Sequence, residues 1–207
     1  MKLEVWSDVV CPWCWLGTAR LDKALAAFPG RDSVELVYRS FELDPRADAT
    51  LDIPTNQMLA KKYGFGPAQI ASMHERLHGL GVADGIEFAF DRARTSNTFE
   101  AHQLIQYAST QGKQKAMVDR LFRAQFNEGV RIGDRKELVR LAVEVGLEAA
   151  ELEAALADQR HAAAVRSDEK DAQELGISGV PFFLVDQELA VSGAQSVEVM
   201  SELLRSR

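Results

Sequence analysis

The chain opens on an apolar run, Leu3-Glu4-Val5-Trp6-Ser7, that is too short for a helix and does not alternate strictly. Such a run predicts a largely buried strand. Leu21, Ala24, Leu25 and Phe28 then recur at i, i+3, i+4 and i+7, the stripe of an amphipathic helix that Pro29-Gly30 stops. Val34, Leu36 and Tyr38 alternate with Glu35, Val37 and Arg39 towards Phe41 and Leu43, a second strand. Strand, helix and strand within about forty residues predict a βαβ unit with parallel pairing and a right-handed crossover.

From Asp44 to Gly176 the pattern changes to helices, six or seven of them, punctuated by Gly, Pro and Asn. Pro54 and Pro67 suit first turns, Gly64 and Gly146 suit helix ends, and Asn97 and Asp134 suit N-caps. Apolar stripes run through Leu104, Tyr107 and Ala108, through Met117, Leu121 and Phe122, and through Leu138, Leu141 and Ala142. Segment 148–175, rich in Ala, Glu and Arg, is predicted helical. Strand signals return at 182–185 and 189–191 and predict an antiparallel hairpin, after which Ser196 caps a last helix carrying Met200, Leu203 and Leu204. The economical arrangement is one α/β domain built from both termini, 1–45 and 176–207, with a helical domain, 46–175, inserted in it.

Composition narrows the function. The 207 residues carry a formal charge of 24 − 31 = −7 without a Lys/Arg cluster, which opposes a nucleic-acid surface because such binding rests on neutralising phosphates. No run approaches the roughly 18–20 apolar residues of a membrane span. Glu4 and Asp8 stand where a signal peptide needs an apolar stretch, so the expected location is cytoplasmic. The chain has two cysteines, so any disulfide there should be transient and chemical.

Those cysteines form Cys11-Pro12-Trp13-Cys14, between the first strand and the first helix. Random placement would give this spacing only about once in a hundred chains, and it is the spacing of redox dithiols. With Cys11 as N-cap and Pro12 as first helical residue, the Cys11 sulfur should face unpaired N–H groups and the positive end of the dipole. That favours the thiolate and makes Cys11 the attacking group. Cys14, one turn inward, can attack a mixed disulfide on Cys11 and release the partner thiol. Trp13 brings no charge, so the thiolate should be favoured less than in the most oxidising enzymes of this kind, and Asp8 would oppose it further if close. The competing readings are a structural cysteine pair and half of a zinc site, the second needing two more ligands. A second element is Gly176-Ile177-Ser178-Gly179-Val180-Pro181-Phe182, where a proline opens a strand and Gly179 would admit a close backbone approach.

His74-Glu75-Arg76-Leu77-His78 fits H-E-x-x-H, with Gly81 and Asp84 extending the pattern. Arg76 places a cation inside it, and Gly79-Leu80-Gly81 should end the helix early. The expected reading is a solvated helix end, with no metal. His102 and His161 read as packing or surface residues, although His102 would border the groove if the insertion folds over the dithiol.

Cys11-Pro12-Trp13-Cys14, Gly179-Val180-Pro181-Phe182-Phe183 and Ser192-Gly193-Ala194-Gln195 together resemble the DsbA-like thioredoxin-fold oxidoreductases. Phe41-Glu42-Leu43-Asp44-Pro45, Asn97-Thr98-Phe99-Glu100-Ala101-His102 and the segment Leu121 to Gly129 resemble the FrnE-type branch, so the likeness spans nearly the whole chain. It implies a thioredoxin-like α/β domain with a large all-helical insertion. It further implies a protein disulfide oxidoreductase or isomerase in which Cys11 is the exposed attacking thiolate and Cys14 the buried resolving thiol. Pro181 would be a cis-proline facing the dithiol, and Pro12, Trp13, Gly179 and Val180 would help hold substrate, Val180 through its backbone. No cofactor beyond the cysteine pair is implied, with glutathione a conceivable co-substrate beside protein or peptide disulfides. The related kappa-type glutathione transferases and hydroxychromene-carboxylate isomerases, which usually carry serine for the first thiol, give an alternative reading. A peptide-binding, chaperone-like module gives another. With a couple near roughly −200 mV against a cytosolic poise near roughly −260 mV, the dithiol form would be favoured about a hundredfold, so a resting reductase or isomerase is expected.

Overall fold

The computed structural model describes residues 1–206. Strand β1 (Lys2–Ser7) leads through a tight turn into helix α1 (Pro12–Ala26), and a short 3-10 turn (Arg31–Ser33) precedes β2 (Glu35–Ser40). The chain returns to this sheet with β5 (Phe182–Val185), β6 (Leu189–Ser192) and helix α9 (Val197–Arg205). The strand order is β2-β1-β5-β6. β1 pairs parallel with β2, from Lys2 opposite Glu35 to Ser7 opposite Ser40, and antiparallel with β5. Alternation along β1 splits two cores. Leu3 and Val5 face the cluster that holds Leu21, Ala24, Met200 and Leu204, whereas Trp6 packs with Ala172, Ile177 and Leu184.

Between β2 and β5 lie β3 (Ile53–Pro54), α2 (Thr55–Tyr63), α3 (Pro67–Asp84), β4 (Arg94–Thr95), α4 (Phe99–Thr110) and α5 (Gln114–Arg123). A π-helix (Ala124–Glu128), α6 (Arg135–Glu144), α7 (Ala149–Ala157) and α8 (Ala162–Glu174) complete the segment. The insertion is thus helical apart from one two-residue antiparallel ladder, Ile53 and Pro54 against Thr95 and Arg94. Trp15, on α1, joins the two regions through rings, 5.2 Å from Phe88 and 5.9 Å from Phe126.

Several local expectations change. The second strand stops at Ser40 rather than continuing to Leu43, because the Leu43 N–H turns away to the Asp8 carboxylate at 2.8 Å. Pro54 lies just before its helix rather than in its first turn, while the segment 148–175 is helical as expected, divided into α7 and α8. Helix α3 does not end at Gly79-Leu80-Gly81 but runs to Asp84, where Gly85 takes the left-handed cap at φ 80°. Gly81 serves there as a contact: a Cβ on it would lie 2.8 Å from the Phe88 ring. Asp134 caps α6 through the Lys136 N–H, Asn97 accepts from Phe99 N–H at 2.9 Å at the start of α4, and Ser196 caps α9.

Candidate active site

The turn after β1 is held by its own backbone. Cys11 N–H donates to the Asp8 carbonyl at 3.0 Å, and Cys14 N–H to the Cys11 carbonyl at 3.0 Å. Cys11 occupies the N-cap of α1 with Pro12 behind it, where the missing proline N–H costs the helix nothing. The two thiols are unbonded, and Cys11 and Cys14 come within 3.4 Å of each other.

Two details depart from expectation. The Cys11 sulfur makes no cap hydrogen bond with its own helix; instead its S–H donates to the Val180 carbonyl at 3.7 Å. Nor is Cys11 exposed. It is 5% accessible, because the Val180-Pro181 loop leans over the sulfur, and Cys14 beneath it is 0% accessible. Burial pushes the Cys14 thiol well above the usual range; hydrogen bonding and charge from Cys11 add to this, and the Asp8 backbone only partly offsets it. Cys14 is therefore held in its protonated form near neutral pH.

The Val180-Pro181 peptide is cis. Gly193 N–H donates to the Pro181 carbonyl at 2.8 Å, which fastens this loop to the Ser192-Gly193 turn. The close approach expected at Gly179 occurs elsewhere, since a Cβ on Gly179 would meet nothing within 4 Å. Gly17 provides it: a Cβ there would lie 2.9 Å from Pro181 Cγ and 3.1 Å from the Phe183 ring. A side chain on that face of α1 would push the proline off the dithiol.

Below the turn lies a buried pair that is far apart in sequence, joined across α1, β2 and the first part of the insertion. Asp8 and His102, both 1% accessible, face each other with His102 Nε2 3.4 Å from Asp8 Oδ1. The contact is not an aligned hydrogen bond: Asp8 Oδ1 and both His102 nitrogens have no hydrogen-bond partner among the described residues. Burial works against the imidazolium, yet Asp8, with smaller help from Glu42 and Glu169, raises His102 above its ordinary value. His102 therefore sits under the site, not at a groove edge. His161 packs edge-on to Tyr107 at 5.8 Å.

Trp13 is half-buried and forms one wall of a groove of about 490 Å³, whose other lining residues are Ala68, Gln69, Ser72, Met73 and Arg76 of α3. The Arg76 guanidinium lies over the Trp13 ring, 5.5 Å from its centroid. The rest of the H-E-x-x-H pattern is dispersed. His74 stacks on Phe90 at 4.2 Å, Leu77 is in the core, and Asp84 is paired with Arg20 and Lys23 at 2.6 and 2.9 Å. Among the described residues no group of three His, Cys, Asp or Glu side chains is placed to hold a metal ion. None of Gly17, Arg76 and the Asp8–His102 contact was singled out by sequence as part of the site.

Comparison with known proteins gives consistent matches. The family profile described as DSBA-like thioredoxin domain matches residues 2–205. The uncharacterized protein YwbO of Bacillus subtilis is 31% identical over 205 residues, 99% of this chain and 96% of that one. A crystal structure of a probable DsbA oxidoreductase from Streptomyces coelicolor superposes with TM-score 0.95 at 42% identity, covering 100% of this chain and 89% of the other. The cytosolic disulfide reductase DsbM from Pseudomonas aeruginosa shares the fold, with TM-score 0.70 at 19% identity, 100% of this chain and 98% of that chain being covered.

Proposed function

Because the chain belongs to the DsbA-like thioredoxin-domain family, we propose that it is a thiol–disulfide oxidoreductase working through Cys11 and Cys14 on protein or peptide disulfides. The single observation that carries this reading is the pair of unbonded thiols 3.4 Å apart beneath the Val180 carbonyl. The Cys11 thiolate attacks one sulfur of a substrate disulfide, forming a mixed disulfide and expelling the other substrate sulfur as a thiolate. Cys14 then gives up its proton and attacks the Cys11 sulfur; a Cys11–Cys14 disulfide forms and the second substrate thiol leaves. One substrate disulfide is reduced and the enzyme's dithiol is oxidised, and the reverse sequence oxidises substrate. Burial of Cys14 orders these steps, since its raised proton affinity keeps it from competing for the first attack. Val180, just ahead of β5, would align an extended peptide across the sulfur through its backbone, with Pro12, Trp13, Gly179 and Pro181 as its other walls.

The reductase or isomerase direction and a cytoplasmic place of action belong to the same proposal. Among the described residues no helix is long and apolar enough to cross a membrane. Glutathione is the proposed recycling thiol; the DsbM fold neighbour has a structure described as being with GSH. The glutathione-dependent isomerase reading draws on a 2-hydroxychromene-2-carboxylate isomerase of the same fold, TM-score 0.74 at 16% identity. It separates cleanly from dithiol exchange, because isomerisation would survive Cys14→Ser.

In the test, wild type, Cys11→Ser and Cys14→Ser are assayed for reduction of a peptide disulfide by glutathione. We expect loss of about a hundredfold or more in Cys11→Ser, and in Cys14→Ser a stable mixed disulfide on Cys11 visible by mass. Exchange that persists at the wild-type rate in Cys11→Ser would overturn the proposal.

A further inference from the structure

Helices α1 and α3 meet along a seam whose two ends differ in charge. At the far end, Asp84 of α3 is closed off by Arg20 and Lys23 of α1, and Arg20 also reaches the Ala194 carbonyl at 2.9 Å. At the end beside the dithiol the polarity is reversed and incomplete. Arg76 of α3 lies over Trp13, and among the described residues it has no ion pair or hydrogen bond. Gln69, Ser72, Met73 and Arg76 fall on one face of α3, at i, i+3, i+4 and i+7, and line the groove together. The other lining residues carry no charge, and the first turn of α1 contains no acidic residue. The groove therefore presents an apolar floor, one fixed cation and the positive end of a helix, two residues from the attacking sulfur. An acid is what this end lacks and the far end has.

Resting on the exchange reading, we infer that Arg76 is a specificity-determining residue: the Trp13–Arg76 groove takes an acidic side chain lying next to the reacting cysteine of a peptide disulfide. The Trp13 ring positions the guanidinium, leaving its N–H edge for the carboxylate, while Met73 and Ala68 receive the methylene of the incoming side chain. The mixed disulfide on Cys11 would hold that carboxylate at short range. Substrates with a neutral or basic neighbour lose the contact.

The test uses two blocked peptides that differ only in Asp or Asn beside a single cysteine, each activated as its 2-thiopyridyl disulfide. Attack of Cys11 on the peptide sulfur forms the mixed disulfide and expels pyridine-2-thione, which is read by absorbance. Wild type should react about three- to fivefold faster with the Asp peptide at low salt, the ratio falling towards one near 0.5 M salt, as expected for a partly exposed charge pair, about 1 kcal/mol at most. Arg76→Gln should bring the ratio to about one at all salt concentrations, and Arg76→Glu should invert it, with Arg76→Lys retaining part of the preference. A wild-type ratio near one, or one unchanged in Arg76→Glu, would overturn the inference while leaving exchange intact. Absence of release with both peptides would overturn the exchange reading and this inference with it. A loss on glutathione disulfide in Arg76→Gln as large as on the Asp peptide would reassign the groove to that tripeptide's terminal carboxylate and overturn the peptide as its occupant.

Discussion

The polar groups buried beside β1 form two sets, an Arg39 end and a dithiol end, and the fold treats them differently. At the first end Glu4 and Asp168, 1% and 3% accessible, share Arg39. Glu4 also takes Lys2 and Gln187, while Asp168 accepts from Ser40 N–H at 2.8 Å and Gln106 at 2.6 Å. Burial pushes Glu4 up, but Arg39 and Lys2 outweigh it and hold its carboxyl below the ordinary value. At the second end, beside the dithiol, Ser7 Oγ, Asp8 Oδ1, Glu42 Oε1 and both His102 nitrogens lack a hydrogen-bond partner among the described residues. Buried polar atoms left unpaired cost roughly 1–3 kcal/mol each, so a fold tolerates several together only where something offsets them. The saturated end is architecture, and the unsaturated end surrounds the chemistry. Mutations at the first should lower stability and spare exchange in the folded protein, whereas those at the second should alter how the protein responds to protons.

The largest expected effect is at the saturated end. Arg39→Met removes the cation shared by Glu4 and Asp168 and leaves two buried carboxylates without it. Breaking such a buried network by removal of one partner costs about 4 kcal/mol. Urea unfolding at pH 7 should show a fall of this order, with the exchange rate of the folded fraction within about twofold of wild type. A fall below about 1 kcal/mol would erase the contrast between the ends.

Next in size is the pH response of Glu42, on the unsaturated side. Burial raises its carboxyl, and Glu169 adds to that; Arg166, at 2.5 Å, only partly offsets both, and Glu42 is pushed up to about 7. A carboxyl whose folded value exceeds its unfolded one binds a proton more readily in the native state. Its stabilising contribution is therefore complete below about pH 4.5 and lost as pH rises to about 7. Glu42→Gln should abolish this loss, so that between pH 5 and 8 its stability falls less than that of wild type, by up to about 3 kcal/mol. Parallel stability–pH curves for the two proteins would show that Glu42 does not titrate in this range.

A third change tests the Gly17 contact. Gly17→Ala places a methyl 2.9 Å from Pro181 Cγ, and the loop must shift or strain. Overpacking of this kind costs about 1–3 kcal/mol, and the displacement falls on the residue over Cys11. Exchange should drop about tenfold, with a loss of stability near the lower end of that range. Equal exchange in Gly17→Ala would mean that the proline loop does not govern access to the sulfur.

What the sequence disclosed, and what it hid, follows from the range of the interactions. The four strands of the main sheet, the C-x-x-C helix start, the capping residues Asp134 and Ser196 and the final hairpin are written in neighbouring residues, and their signals are local periodicity and turn chemistry, whereas the two-residue strands β3 and β4 carry no such signal. That the two ends of the chain build one domain is implied by the family likeness and by the economy of a single domain, whereas the strand order β2-β1-β5-β6 is not written locally. The site's supporting contacts are not local. Cys11 meets Val180 169 residues on, and nothing near either residue encodes their register. Gly179 drew attention because it adjoins the proline, whereas Gly17 looks like an ordinary helix glycine until Pro181 is seen against it. Arg76 read as a flaw in a metal motif; the structure places it over the ring of Trp13, a residue of the C-x-x-C turn.

The smallest expected effect concerns the Asp8–His102 contact, and it bears most directly on whether the unsaturated end is held by charge. Both groups are almost fully buried, so each pays a desolvation cost that the attraction at 3.4 Å must first offset, and no aligned hydrogen bond adds to it. The raised His102 value sets the sign: the pair's contribution is complete below the unfolded histidine range and is lost as pH rises through the folded value. A double-mutant cycle with Asp8→Asn and His102→Phe, measured by urea unfolding at pH 5.5, should give a coupling of about 1 kcal/mol. The same cycle at pH 9 should give close to zero, since a neutral imidazole cannot attract the carboxylate. Coupling of equal size at both pH values would mean that packing joins α4 to the dithiol turn, and the charge at this end would then play no part in holding it.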